Sequence, residues 1–168
     1  KVKRVNDVIR IFANIHDVIP SKLLMIGDGP ERTKAETLCR ELGICDDVRF
    51  LGKLEAVEEV LSVADLFLMP SEKESFGLAA LEAMACEVPV ISSNTGGIPE
   101  LNVQGVTGFM SPVGDVEDMT QKSLYVLDKA NLPVFKANAL KRAQEFDITR
   151  ILPLYEDYYH RIMEKTAS

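Results

Sequence analysis

The sequence predicts an α/β fold, a doubly wound parallel sheet covered by helices on both faces. Short continuous apolar runs alternate with helix-patterned segments along the whole chain, and strands buried on both faces require such runs. Size supports the same reading. A chain of 168 residues that is 46% hydrophobic and 27% charged is long enough to bury a core and too apolar for disorder.

Val5, Val8, Ile9, Phe12, Ile15 and Ile19 follow one face of a first helix, which Pro20 closes. "KLLMIG" then reads as a buried strand. "DGPERTKAETLCRELG" reads as a helix with Asp28 near its cap, Pro30 in its first turn and Gly43 at its end. "DVRFLG" is a strand, "EAVEEVLSVA" a short helix, "DLFLMP" a strand, "SFGLAALEAMACE" a helix and "VPVISS" a strand. After a Gly-Gly turn come a helical turn at Ile98 to Leu101, the strand-like "GFMSP", and helices over about 116–129, 132–146 and 148–165.

The net charge of −7 argues against broad binding to a nucleic-acid backbone and leaves room for a small anion in a local basic pocket. Cys39, Cys45 and Cys86 have no CxxC spacing, and His16 and His160 lie far apart. Neither a disulfide framework nor a protein-built metal site is expected. No apolar run approaches the roughly 18 residues of a membrane-spanning helix, and no signal peptide is visible, so a cytoplasmic location is expected. The opening "KVKRVNDVIRIF" already lies inside an amphipathic pattern and lacks an initiator Met, which predicts a piece of a longer protein.

In doubly wound sheets, ligands bind outside the carboxyl ends of the strands, where helix N-termini point free N–H groups at anions. Three stretches fall there: "GDGPE", "PSEKESFGL" and "NTGGIPE". The first has Arg32 where a GxGxxG fingerprint needs its third glycine, so a tight turn capped by Asp28 is favoured over direct ligand contact. In the second, Glu74 precedes a helix starting near Ser75 or Phe76 and Glu82 lies further along it, which separates their Cα atoms by roughly 12 Å along the axis. Two carboxylates sharing one glycosidic bond need about 5 to 10 Å between them, so the spacing suits the two ends of an elongated ligand. The N–H groups of Phe76, Gly77 and Leu78 would be free donors between them, with Gly77 removing a Cβ that would keep a phosphate away.

Leu78, Ala79, Leu81, Ala83, Met84 and Ala85 surround Glu82 with apolar or small residues, which predicts a partly buried carboxylate seeking donors such as a ribose diol. A solvated Glu82, with Glu74 merely serving the helix dipole, fits the spacing equally well. Gly96 and Gly97 read either as an anion nest or as a structural turn. Lys3 and Arg4 are the basic pair near a strand end, if upstream residues supply that strand.

"GDGPE", "VRFLGK", "ADLFLMPSEKESFGLAALEAMACEVPVISS", "TGGIPE" and "GVTGF" occur in the order and spacing of the retaining family 4 glycosyltransferases, and the chain resembles that family along nearly its whole length, including a Glu-x7-Glu signature. The resemblance implies a Rossmann-like domain over 1–168, the carboxyl-terminal, donor-binding half of a GT-B fold without its first strand. It implies Glu74 as the catalytic-site residue that holds a donor-sugar hydroxyl, and Glu82 as the ribose ligand. Lys3, Phe76, Gly77, Leu78, Gly96 and Gly97 would surround the sugar and diphosphate, while Lys53 and Leu54 would contact the base through backbone atoms.

"KVKRVNDVI" with "PSEKESFGL" and "SPVGD" is most similar to the branch that glycosylates malate in bacillithiol biosynthesis. That implies a UDP-sugar partner, UDP-N-acetylglucosamine, and L-malate as the small-molecule acceptor. It further implies transfer with retention, no metal or other cofactor, and no nucleic-acid partner. A homo-oligomer stays open. So does a stand-alone nucleotide or phosphometabolite binding module without transfer chemistry.

Glu87 departs from the family, which usually has Gly there, and Glu in a left-handed helix end would cost on the order of 1 kcal/mol. Acceptor binding would lie mainly in a missing amino-terminal domain, so this chain alone is expected not to turn over. Ile151, Leu154, Tyr155, Tyr158, Tyr159, Ile162 and Met163 form a band wide enough for part of the last helix to face that domain, although packing on its own sheet fits the periodicity as well.

Overall fold

The structure is a computed structural model that describes residues 2–166; Lys1, Ala167 and Ser168 of the expected domain lie outside the described residues. The elements run α1 (Val5–His16), β1 (Leu23–Ile26), α2 (Arg32–Glu41), a 3-10 turn (Cys45–Asp47), β2 (Val48–Gly52), α3 (Val57–Leu61), β3 (Phe67–Met69) and α4 (Leu78–Ala85). They continue with β4 (Val90–Ser93), α5 (Ile98–Leu101), β5 (Gly108–Ser111), α6 (Val116–Leu127), α7 (Leu132–Glu145) and α8 (Ile148–Thr166). All strand pairing between them is parallel, as continuous apolar runs imply.

The strands form two sheets, β1-β2 and β3-β4-β5, so β1 and β3 each pair on one side among the described residues. Helix α1 joins the two parts. Its Ile9, Phe12 and Ala13 pack with Ala35, Leu38 and Val48, while Ile11 and Ile15 pack with Ile91, Met119 and Phe135. The single apolar stripe read from the sequence omits Ile11, which is fully buried, because α1 is buried on two sides.

Strand β4 shows the double winding. Val90 and Ile91 are both fully buried, yet Val90 faces a core built with α4, α5 and α7, and its neighbour Ile91 faces the one built with α1 and α6. Consecutive strand residues point to opposite faces, so both faces are covered. The β1-β2 part is thinner: Leu24 and Leu51 are exposed there.

Several helix boundaries differ from expectation. Helix α1 ends at His16, before Pro20, and Ile19 lies beyond it. Helix α2 starts at Arg32 with Glu31 at its N-cap, because "DGPE" forms a turn in which the Asp28 carboxylate accepts from the N–H of Gly29 and the N–H of Arg32 bonds to Gly29 O. Asp28 therefore closes its own turn and does not cap the helix. Helix α4 begins at Leu78, after Gly77 in a left-handed conformation at φ +92°, and not at Ser75 or Phe76.

Candidate functional site

Three loop segments meet at the carboxyl ends of β3 and β4. The N–H of Glu72 bonds to Val2 O at 2.8 Å, the Thr95 hydroxyl to Glu72 O at 3.2 Å, and the N–H of Gly97 to Ser75 O at 2.8 Å. The loop from Ser71 to Gly77 is thus held between the start of the chain and the Gly-Gly turn. This brings together Lys3, Glu74, Phe76, Gly77, Leu78, Gly96 and Gly97.

Glu74 projects from this loop with its side chain 14% exposed, and its Oε2 lies 2.6 Å from Lys3 Nζ. Arg4 is engaged elsewhere: its Nε is 2.5 Å from Asp7, and its guanidinium lies beside Gly114. Of the basic pair only Lys3 enters the site. The N–H groups of Phe76, Gly77 and Leu78 donate to no backbone carbonyl among the described residues, as expected at the start of α4. The Phe76 ring turns away, edge-on to Phe146 with centroids 5.6 Å apart, so this residue offers the site its backbone.

Glycine at position 77 has a different cause from the one read in the sequence. A Cβ there would overlap Ile98 Cδ1, inside the core, so glycine is required by the positive φ and by the close approach of α5. A Cβ at Gly97 would likewise overlap Ser75 O and stand 3.2 Å from Phe76 Cα. The Gly-Gly turn is therefore a backbone-to-backbone contact that fixes the Glu74 loop.

Helix α5, a single turn, is anchored by residues the motif reading missed. Asn102 is fully buried; its Nδ2 lies within reach of Val90 O, Ser92 Oγ and Phe109 O at 3.0–3.2 Å, and its Oδ1 accepts from the Thr107 hydroxyl. Arg142 donates from α7 to the carbonyls of Glu100 and Leu101 and lies over the Phe146 ring at 4.8 Å. The signal available in the sequence was a lone Asn between the apolar Leu101 and Val103, a polar side chain that needs partners wherever the fold buries it.

Glu82 is exposed, contrary to the partly buried carboxylate expected. Ala80, Ala83 and Met84 bury the other side of α4, and Leu78, 65% exposed, lies on the same open side as Glu82. That side presents an apolar residue at the start of the helix and a carboxylate one turn later.

Lys53 and Leu54 follow β2, where the N–H of Gly27 bonds to Gly52 O at 2.7 Å and ties the "GDGPE" turn to this loop. Lys53 is exposed and Leu54 half-buried. They occupy the carboxyl end of the other sheet, and among the described residues no hydrogen bond links them to the Glu74 cluster. No group of three or more His, Cys, Asp or Glu side chains arranged for a metal occurs among the described residues. No described helix is long and apolar enough to cross a membrane.

The family of glycosyl transferases group 1 matches residues 1–143. N-acetyl-alpha-D-glucosaminyl L-malate synthase of Bacillus anthracis is 43% identical over 168 residues, covering 97% of this chain and 43% of that protein. Among solved structures, sucrose-phosphate synthase from Thermosynechococcus elongatus superposes with a TM-score of 0.85 at 29% identity, covering 99% of this chain and 43% of that one. Anabaena HepE in complex with UDP superposes with a TM-score of 0.84 at 25% identity, covering 95% of this chain and 46% of that one. The chain thus spans under half the length of these proteins. On the extent of the family match and the shared fold, the chain belongs to the glycosyl transferases group 1 family.

Proposed function

We propose that residues 1–168 form the donor-binding domain of a retaining glycosyltransferase that takes N-acetylglucosamine from UDP-N-acetylglucosamine and passes it to an acceptor hydroxyl, that of L-malate. The observation that carries this reading is the meeting of one cation from the start of the chain with one carboxylate and three free amides of the segment leading from β3 into α4, at the carboxyl ends of parallel strands. The relatives add to it: the synthase from Bacillus anthracis is named for N-acetylglucosamine and malate, and HepE was solved with UDP.

In this reading the amides of Phe76, Gly77 and Leu78 and the ammonium of Lys3 receive the diphosphate. Glu74 accepts a hydrogen bond from a sugar hydroxyl, and Gly96 and Gly97 hold its loop. Glu82 accepts from the ribose hydroxyls, and the backbone at Lys53 and Leu54 meets the base. As the bond from the anomeric carbon to phosphate breaks, negative charge grows on UDP, where a fixed cation and aligned N–H dipoles stabilise it. A leaving phosphate oxygen takes the acceptor's proton while the acceptor attacks from the same face. Configuration is retained, and Glu74 orients without becoming a nucleophile.

Acceptor binding is assigned to protein beyond these residues, so the chain alone is expected to bind donor without turnover. The exposure of α8 supports this assignment: Tyr155, Tyr158 and Tyr159 are 58%, 60% and 62% exposed. Calorimetric titration with UDP, UDP-N-acetylglucosamine and NAD tests the donor reading. Both uridine ligands should bind, Glu82→Ala should weaken each about tenfold or more through the lost charged hydrogen bonds, and NAD should not bind. Uridine affinities unchanged by Glu82→Ala, or equal affinity for NAD, would overturn it.

A further inference from the structure

We propose that Glu74 is also the resting partner of Lys3, so that donor binding exchanges ion-pair partners and the site favours an intact sugar nucleotide over bare nucleoside diphosphate. The inference rests on the donor reading above and adds a specificity role to its central carboxylate.

The pair joins groups 71 positions apart in sequence, at 2.6 Å, with Lys3 62% exposed and Glu74 14% exposed. It is not a loose surface contact, because the hydrogen bond from Glu72 N–H to Val2 O at 2.8 Å fixes the two backbones beside each other. Among the described residues neither side chain has a second partner. Lys3 is therefore the cation free to change partner, since Arg4 is engaged by Asp7.

A diphosphate settling on the amides of Phe76, Gly77 and Leu78 competes with the Glu74 carboxylate for the one ammonium of Lys3. Drawing Lys3 to the diphosphate removes the positive charge from Glu74. With an intact donor the carboxylate gains a sugar hydroxyl in return. With UDP alone it gains nothing and stays mostly covered from water. The ion pair thus lowers affinity for UDP more than for the donor, which favours product release after the sugar has left.

The test is calorimetric titration of UDP and UDP-N-acetylglucosamine into the protein and into Glu74→Gln, Lys3→Met and the double variant. Gln keeps the shape of Glu, and Met keeps the apolar stem of Lys. Glu74→Gln should tighten UDP about two- to fivefold, the range expected for releasing a part-exposed ion pair, while weakening the donor. Lys3→Met should weaken UDP, and in that background Glu74→Gln should bring no further gain. UDP affinity unchanged or lowered in Glu74→Gln would overturn the exchange alone and leave the donor reading intact. A gain of equal size without Lys3 would overturn it too, by reducing the effect to simple repulsion. Absence of UDP binding by the unaltered protein would overturn both.

Discussion

Gly96 lies with its backbone against that of Glu74: a Cβ at position 96 would overlap the Glu74 carbonyl oxygen and stand 2.7 Å from the carbonyl carbon. Its φ of +58° adds a second constraint, since a side chain in that region costs about 1 kcal/mol or more. Gly96→Ala must therefore displace the loop that carries Glu74. The expected result is a loss of at least about 2 kcal/mol of stability, read as a fall of roughly 4–8 °C in thermal midpoint. If the proposed sugar transfer holds, kcat/KM measured on a protein that joins this domain to an acceptor-binding part should fall by about a hundredfold, because displacing a positioning group by about 1 Å can have that effect. Unchanged stability and activity would show that the two loops are not rigidly coupled.

Glu87 is a separate case, in which the sequence departs from the residue its backbone prefers. Its φ is +62°, and it closes α4 in a two-bond cap: its N–H bonds to Met84 O and that of Val88 to Ala83 O. Glycine suits the left-handed position after a helix, so Glu87→Gly should raise stability by about 1 kcal/mol and the thermal midpoint by roughly 2–4 °C. The residue is exposed and sits at the opposite end of α4 from the free amides, so UDP affinity should not change.

Elements defined by local pattern were legible in the sequence. The apolar runs of the strands and the one-turn helix with Pro99 in its first turn fall where their patterns place them. Features set by distant chain were not. The start of α4 follows from Gly77 fitting against Ile98, a contact that no cap signal around Ser75 encodes. Of the two environments that the spacing allows for Glu82, the fold selects the solvated one: Leu78 and Ala79 share its open side, so composition does not reveal which face of α4 the core takes. The sequence leaves Gly96 and Gly97 as an anion nest or a structural turn, and only the fold shows that they press on Glu74 and Ser75. The Lys3–Glu74 pair is likewise a product of the fold.

Stability should depend on acid pH through Asp118. Its carboxyl is held below the ordinary value chiefly by Lys122, whose Nζ lies 2.5 Å away, and secondarily by the Ser111 hydroxyl. A carboxyl lowered on folding contributes stability above its unfolded value of about 3.9 and loses that contribution as pH falls through the folded value. The side chains are 22% and 35% exposed, so solvent screening limits the contribution to less than about 1 kcal/mol. In urea unfolding, Asp118→Asn should be less stable than the unaltered protein at about pH 6, and the difference should shrink as the pH falls below the ordinary carboxylate range. A difference that does not shrink would assign the effect to packing.

Asn102 tests whether the support under the site is as important as the groups in it. The amide nitrogen is shared among three oxygens, Val90 O, Ser92 Oγ and Phe109 O, while Oδ1 receives the Thr107 hydroxyl, so one side chain joins β4, β5 and the loop between α5 and β5. Asn102→Ala leaves these buried groups short of partners, which costs about 2–4 kcal/mol in a fully enclosed network. Asn102→Asp has nearly the same shape but turns an acceptor toward the carbonyls of Val90 and Phe109 and buries a charge, so it should destabilise more than Ala. Denaturant midpoints for the two variants decide the matter: Ala below the unaltered protein and Asp below Ala follow from the hydrogen-bond pattern, whereas Asp above Ala would mean that shape, and not donor direction, holds α5 and the glycine turn against Glu74.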